Sequence, residues 1–380
     1  MSTPQIEFIG ITATQRVDTS GPTGAQAGEG RSGMATHTEV GVPVGPPVDK
    51  EFAAELARAH EAAGFDRVLI AHSSSSIDGF VLADQTLEAT DTLGVLLAHR
   101  PGFWAPTIAA RAYATLNAFH RGRVAMHVIT GGDDTDQQRD GDYLTKEERY
   151  RRTDDFLTVV RKEWESEVPF DHDGEFYRVT GAQASVRPEP GQIPIYFGGA
   201  SEDAIRVGGK HADAYAFWGE PLDGIRQRIA EVRAAAAPYG RDPRFSVSLR
   251  PIVADTEEEA WARADAVLAA AQATAGGNGP LTGFGKNAVG SQRLVAAAEA
   301  GDVHDKRLWT ALAKVTGGAG NSTSLVGTYE QVADGLLDYV DLGVTTLLIR
   351  GFDPLEDAKQ YARVIELVRA GAQQRPALAG

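Results

Sequence analysis

The sequence predicts an α/β protein built as a closed (β/α)8 TIM barrel, with a Gly-rich insertion before the eighth strand. Three observations predict it. Short β-branched runs alternate with longer helical patterns along the chain. The alternation repeats eight times and leaves one hairpin over. The length of 380 residues suits one barrel with insertions, so 1–380 reads as a single domain. Alternating βα units impose parallel strands covered by helices, and eight of them close a barrel more readily than they extend an open sheet.

The elements follow in order. Ile6–Thr12 reads as the first strand. A Gly-, Ser- and Thr-rich loop of about 18–48 comes next, long enough to suggest a functional segment. Lys50–Ala63 is a helix closed by Gly64. Arg67–His72, Leu93–His99 and Arg123–Thr130 are the second to fourth strands. Gly79–Thr90, Pro106–His120 and Lys146–Glu165 are the helices between and after them. Pro106 sits in its helix's first turn and Gly122 just past its end, as helix stereochemistry favours. Val168–Val179 reads as a hairpin. Ile193–Phe197, Ala214–Trp218, Phe245–Val253 and Thr345–Ile349 are the fifth to eighth strands. Glu202–His211, Leu222–Tyr239, Glu257–Ala273, Gln331–Asp341 and Leu355–Ala370 are the helices of this half. The insertion or lid spans about 275–328.

Composition excludes several classes. Hydrophobic residues make up 42% and charged residues 23%, an ordinary globular balance. The net charge of −15 and the lack of a basic face argue against nucleic acid. The densest basic run, Arg149, Arg151 and Arg152, lies in a mixed-charge helix and reads as a solvated face. With no cysteine there is no disulfide, thiolate nucleophile or Fe–S cluster. No leader pattern and no apolar run long enough to span a membrane is visible, so a cytoplasmic protein off the membrane is expected. No G-x-G-x-x-G follows a strand, and no G-x-S-x-G turn appears. His60-Glu61 lacks the second histidine of a zinc-protease helix, since position 64 is Gly64, and no metal site is expected. Asn287 replaces the hydroxyl that a phosphate loop needs after Lys286.

Barrel chemistry gathers at the C-terminal strand ends. Those ends hold His72 to Ser76, His99, His127, Thr130, Gly131, Gly199 to Ser201, Trp218, Arg250, Arg350 and Phe352. In Tyr196-Phe-Gly-Gly-Ala-Ser201 a strand runs through two glycines into a helix start. Such a turn lets backbone N–H groups approach an anion. Ser201 is either a ligand for that anion or simply the cap of its helix.

Further motifs carry a resemblance. They are Pro101-Gly-Phe-Trp-Ala-Pro106-Thr-Ile-Ala-Ala-Arg111, Ala114-Thr-Leu116, Gly122-Arg123, Val128-Ile-Thr130-Gly131 and Glu148-Arg-Tyr150. Pro194 to Ser201, Phe217-Trp-Gly-Glu-Pro221, Gly317-Gly-Ala-Gly320 and Leu325-Val-Gly327 follow in register. In this order, from about Asp49 to Ala370, the chain resembles the bacterial luciferase-like flavin-dependent monooxygenases, closest to the alkanesulfonate monooxygenase family. The resemblance implies reduced FMN supplied by a separate NAD(P)H:flavin reductase, O2 as co-substrate, and one oxygen atom inserted into a small-molecule substrate. It places the phosphate near Tyr150, Gly199, Ala200 and Ser201, and the ring near His99, His127, Thr130 and Gly131. It makes Thr316–Gly327 a lid that excludes water. It also implies a homodimer or homotetramer.

Departures bear on the substrate. Aligned on these motifs, the family's sulfonate-binding positions fall on Ser76, Ser248, Arg250, Thr316 and Phe352, with Thr14 or Gln15 in the first strand. Ser76, Arg250 and Phe352 are the expected catalytic positions; His72, Trp218, Thr316 and Arg350 are the expected substrate and lid contacts. Arg250 and Arg350 offer a replacement anion site, with a structural ion pair as the other reading of Arg350. Phe80, Phe103, Trp104 and Phe352 offer an apolar wall. Most of the family's sulfonate-binding residues are thus replaced; an organosulfur substrate, a sulfonate or sulfone, leads, and a different carbon or nitrogen substrate stays open. Two other functions stay open: a deazaflavin-dependent hydride transferase and a non-catalytic flavin-binding protein.

Overall fold

The computed structural model describes residues 6–18, 42–189, 191–278, 288–318 and 320–375. Eight parallel strands close a barrel. In chain order they are β1 (Glu7–Ile11), β2 (Arg67–Ile70), β3 (Gly94–His99), β4 (Val124–Val128), β5 (Ile195–Gly198), β6 (Ala214–Trp218), β7 (Arg244–Leu249) and β8 (Val344–Ile349). Each pairs with its sequence neighbour, and β8 returns to β1. The helices against them are α1 (Lys50–Ala62), α2 (Gly79–Glu88), α3 (Pro106–Phe119), α4 (Lys146–Glu165), α5 (Glu202–His211), α6 (Leu222–Ala236), α7 (Tyr329–Asp341) and α8 (Pro354–Gln373).

Local chemistry sets the helix starts. The side chains of Asp49, Asp78, Ser201 and Asp353 each accept from a first-turn N–H. Thr145 with Glu148, and Thr328 with Gln331, form capping boxes for α4 and α7.

Strand register fixes which residues face the axis. Ile9, Leu96, Ala125, Tyr196 and Ala214 form one inner cluster, joined by Leu69 and Leu348. Alternate residues, such as Phe8, Val68, Leu97, Met126, Phe197, Tyr215 and Val247, face the helices in the main core. Strands covered on both sides read as continuous apolar runs, which is why they were legible. The floor of the barrel is polar. Glu7 accepts from Arg67 (3.0 Å), Thr346 (2.9 Å) and the Tyr196 hydroxyl, and Arg244 lies 3.9 Å away.

Three expectations change. The seventh strand, expected over Phe245–Val253, ends at Leu249 and resumes as Ile252–Ala254. Pro251 lies in the break; it has no N–H for a central ladder. Ile252–Ala254 instead joins a second sheet with Ser324–Thr328, Leu308–Trp309 and Val303–His304. The helix Glu257–Asn278 packs on that sheet, around Ile252, Ala264, Leu312, Val326 and Phe352, and leaves α7 to precede β8. Among its described residues the insertion has helices of its own, Val289–Ala300 and Ala311–Thr316. Two of its glycines end these helices, Gly301 and the left-handed Gly317 (φ +65°). At the loop of about 18–48, Arg16–Asp18 pairs with Val42–Val44 as a two-stranded ribbon; residues 19–41 lie outside the described residues. A short helix, Asp134–Arg139, was not expected.

Candidate active site

The upper half of the barrel is hollow. Leu69, His127, Gly198, Ala216, Ser248 and Leu348 point along the axis by register, yet all stay partly exposed. Their outward neighbours Val68, Val128, Phe197, Val247 and Leu347 are buried. His127 is the large side chain among small ones. Ala98 is its register partner on β3, and a Cβ on Gly198 would lie 3.7 Å from its ring. The two small residues leave one edge of the imidazole without a bulky neighbour. Burial pushes His127 down to about 4, opposed by a hydrogen bond to the Tyr196 backbone, so the ring is neutral near pH 7. Its Nδ1 has no partner.

One strand along, the β5–α5 turn carries the strand through two glycines into a helix start. Gly199 has φ +147°, and a Cβ there would lie 2.5 Å from the Ala204 Cβ and 3.3 Å from the Tyr150 hydroxyl. Its carbonyl accepts from the Tyr215 hydroxyl (3.0 Å) and from Arg228 (3.2 Å). In a trans peptide the next N–H points the opposite way, so these bonds turn the Ala200 N–H toward the open side. Ser201 caps Ala204 at 3.3 Å and also hydrogen-bonds Tyr150. The cap reading of Ser201 therefore holds: it starts the helix. Burial pushes the Tyr150 hydroxyl up, so it stays a donor. Thr130 meets Thr153 of α4 at 3.3 Å. Gly131 (φ +90°) leaves space that the buried Gln137 amide fills.

Other expected residues fall elsewhere. His99 is one residue beyond the inward Ala98 and faces the helices. It stacks on Phe156 of α4 at 5.1 Å, and burial holds it down at about 3. His72 is lowered by burial and by Arg100, and its Nε2 has no partner. Ser76 closes a turn: its Oγ accepts from the Ser73 N–H (2.9 Å) and lies 2.8 Å from the Ser73 Oγ. Asp136 ties three loops, accepting from Ser74 (2.6 Å) and Arg100 (2.5 Å).

The β6–β8 side is closed by the insertion. Arg250 donates to the carbonyls of Asn321 and Gly351, both at 3.2 Å, and stacks over Phe352 at 4.9 Å. Arg350 donates to the Gly320 carbonyl. Both arginines therefore hold the chain just after the glycine run. Thr316 is buried, and its hydroxyl bonds back to Leu312 at 3.0 Å within its helix. Trp218 lies under the insertion: a Cβ on Gly290 would sit 3.2 Å from its ring.

Sequence reasoning missed Asn321 and Arg293. Asn321 takes φ +56°, donates to Ser248 (2.8 Å) and accepts from the Gly219 N–H (3.3 Å). An asparagine directly after a glycine run was the available signal, since it tolerates left-handed backbone. Arg293 grips both Glu220 oxygens at 2.8 Å and joins the insertion to the end of β6. Nothing local in sequence pairs residues that far apart. Among the described residues, the one grouping with metal-ligand spacing, Asp84, Glu88 and His120, lies on α2 and the end of α3, outside the barrel.

Comparisons with known proteins agree with this architecture. A model of the family described as luciferase-like monooxygenase matches residues 31–346. A riboflavin lyase, solved with modified FMN and riboflavin, superposes with TM-score 0.75 at 19% identity over 99% of this chain and 93% of that one. An EDTA monooxygenase from Chelativorans sp. BNC1 gives 0.72 at 20% identity, covering 98% and 94%. A secondary alcohol dehydrogenase dependent on coenzyme F420 gives 0.66 at 16% identity, covering 96% and 99%. At such identities the likeness is one of fold. Among the described residues no helix is long and apolar enough to cross a membrane.

Proposed function

We propose, for a chain that belongs to the luciferase-like monooxygenase family, a two-component monooxygenase that takes reduced FMN from a separate flavin reductase. One observation carries this reading: an anion cradle at Gly199–Ser201 opens beside a hollow barrel mouth lined by Leu69, Leu348 and a neutral His127. The residues fit the cofactor. The Ala200 and Ser201 N–H groups, the α5 dipole and the Tyr150 hydroxyl suit its phosphate. The space beside His127, Gly198 and Ala216 suits its ring, with Thr130 and Gly131 at the rim.

When bound, reduced FMN supplies the electrons that reduce O2, so that one oxygen atom enters the substrate and the other leaves as water. The chain's own work is binding and enclosure. The insertion covers Trp218 and lies against Gly132, where a Cβ would be 3.6 Å from Ala288. That cover keeps bulk water from the mouth. Arg250 and Arg350 lie on its β7–β8 side, Arg250 buried and both bonded to backbone carbonyls, so a substrate anion there would feel their charge at a distance and not by direct contact with Arg250. Such charge favours the oxygens of a sulfone or sulfonate, so a small organosulfur substrate remains the first choice.

The test is anaerobic titration with reduced FMN, followed by O2 uptake with a flavin reductase present. Tight binding and reductase-dependent uptake are expected. Hydride transfer from a reduced deazaflavin without O2 uptake would favour that cofactor instead. Flavin binding with neither reaction would leave a binding protein.

A further inference from the structure

Behind the β5–α5 turn stands a buried cation. Arg228 of α6 is 4% exposed. One arm of its guanidinium donates to the Gly199 carbonyl at 3.2 Å, and another to Glu231 of its own helix at 2.8 Å. Tyr215 of β6, also buried, donates to the same carbonyl at 3.0 Å. Two buried donors from two elements thus converge on one backbone oxygen. The peptide they hold is one that a glycine pair leaves loose. Gly198 and Gly199 have no Cβ to restrict their torsions, and Gly199 sits at φ +147°. In a trans peptide the C=O and the following N–H point in opposite directions. With the Gly199 oxygen drawn to the packed side, the Ala200 N–H faces away from it. Among the described residues no backbone carbonyl accepts from that N–H. Gly199 is exposed and Ala200 partly so, which leaves this side of the turn open to a ligand.

Resting on the flavin reading above, we propose that Arg228 is the positioning residue that makes this turn select a phosphorylated flavin, by locking the Gly199–Ala200 peptide with its N–H outward. A flipped peptide would present the carbonyl oxygen instead, a lone pair where a phosphate needs a donor. Arg228 acts through the Gly199 carbonyl, and Tyr215 is the second latch on the same atom. The flavin ring lies outside the reach of this device. Loss of Arg228 therefore weakens the hold on the phosphate and spares the hold on the ring.

The experiment is anaerobic equilibrium titration with reduced FMN and reduced riboflavin, which share the ring and the ribityl chain and differ in the phosphate. The quantity read is the ratio of the two affinities. Wild type should hold reduced FMN at least about tenfold tighter, the value of one good hydrogen bond. Arg228→Met keeps the length of the side chain and loses its donors. It should lower reduced-FMN affinity about tenfold and change reduced riboflavin by less than about twofold. Arg228→Lys, whose ammonium can still donate to the carbonyl, should restore most of the ratio. Tyr215→Phe removes one latch and should lower the ratio about threefold. Arg228→Gln, too short to reach the carbonyl, takes the place of Arg228→Met if that variant does not fold. An unchanged ratio in the Met or Gln variant overturns the proposal. So does an equal fall for both ligands, which marks a merely structural role. Equal wild-type affinity for the two ligands also overturns it, because the phosphate is then not held at this turn. Failure of wild type to hold either ligand overturns the flavin reading itself.

Discussion

At the scale of the residue, geometry separates neighbours that the sequence presents alike. His99 and His127 both close apolar strands, yet one packs on Phe156 and the other faces the axis. The reason is the period of two: a one-residue error in a strand boundary exchanges the faces. Strand-end chemistry was therefore legible as a list, while its direction was not. The β5–α5 turn was legible, because strand, two glycines, serine and helix form a local pattern. Two predictions belong here. Gly199→Ala brings a Cβ to 2.5 Å from Ala204 on a backbone at φ +147°. It should weaken reduced-FMN binding at least tenfold, against about 1 kcal/mol for Tyr150→Phe, measured by anaerobic titration. Unchanged affinity in both would remove the phosphate site. The second concerns pH. His60, His99 and His127 are held at about 4, 3 and 4 by burial. Their folded values lie below the unfolded value near 6.5, so the unfolded chain binds more protons as pH falls. Their stabilisation is whole above about pH 6.5 and is lost on the way to pH 4, at about 1.4 kcal/mol per pH unit for each histidine. Urea midpoints at pH 7.5 and pH 5 read this; His99→Phe should flatten the slope.

At the scale of the element, barrel strands announced themselves because both their faces are buried. The insertion did not, because its pieces are short and depend on partners distant in sequence. Ile252–Ala254 finds its parallel neighbour at Val326–Thr328, and helix Val289–Ala300 is held by Arg293 on Glu220. That ion pair is mostly buried on the Glu220 side, with the acid's side chain 8% exposed. Removing one partner leaves the other charge unsatisfied. Arg293→Met should therefore loosen helix Val289–Ala300 selectively. Hydrogen–deuterium exchange should rise there by about tenfold or more while α3 and α4 stay protected. If Trp218 is a lid contact, reduced FMN bound to this variant should also lose electrons to O2 without product. Uniform exchange across the protein would mean that the pair holds the whole fold and not the cover.

At the scale of the whole molecule, the barrel divides its labour along the axis. The mouth carries the cradle and the hollow; the floor carries a closed polar network. Glu7 on β1 reaches Arg67 on β2, Tyr196 on β5, Thr346 on β8 and, more distantly, Arg244 on β7, so one carboxylate links five strands. Burial raises its pKa, but Arg67, Arg244 and the two hydroxyl bonds outweigh it, and the carboxyl stays below its usual value. It therefore stabilises the fold above about pH 4.5, and that contribution fades as pH falls further. Glu7→Ala would leave Arg67 and the Tyr196 hydroxyl without their acceptor inside the barrel. The expected cost is about 3–5 kcal/mol of folding stability, read from denaturant midpoints. Flavin affinity should stay within about twofold where the variant is still folded, since conservation of chemistry at the mouth does not depend on the floor. A parallel fall in affinity and stability would mean that the two ends are coupled through the strands, and that hollow and network are parts of one device.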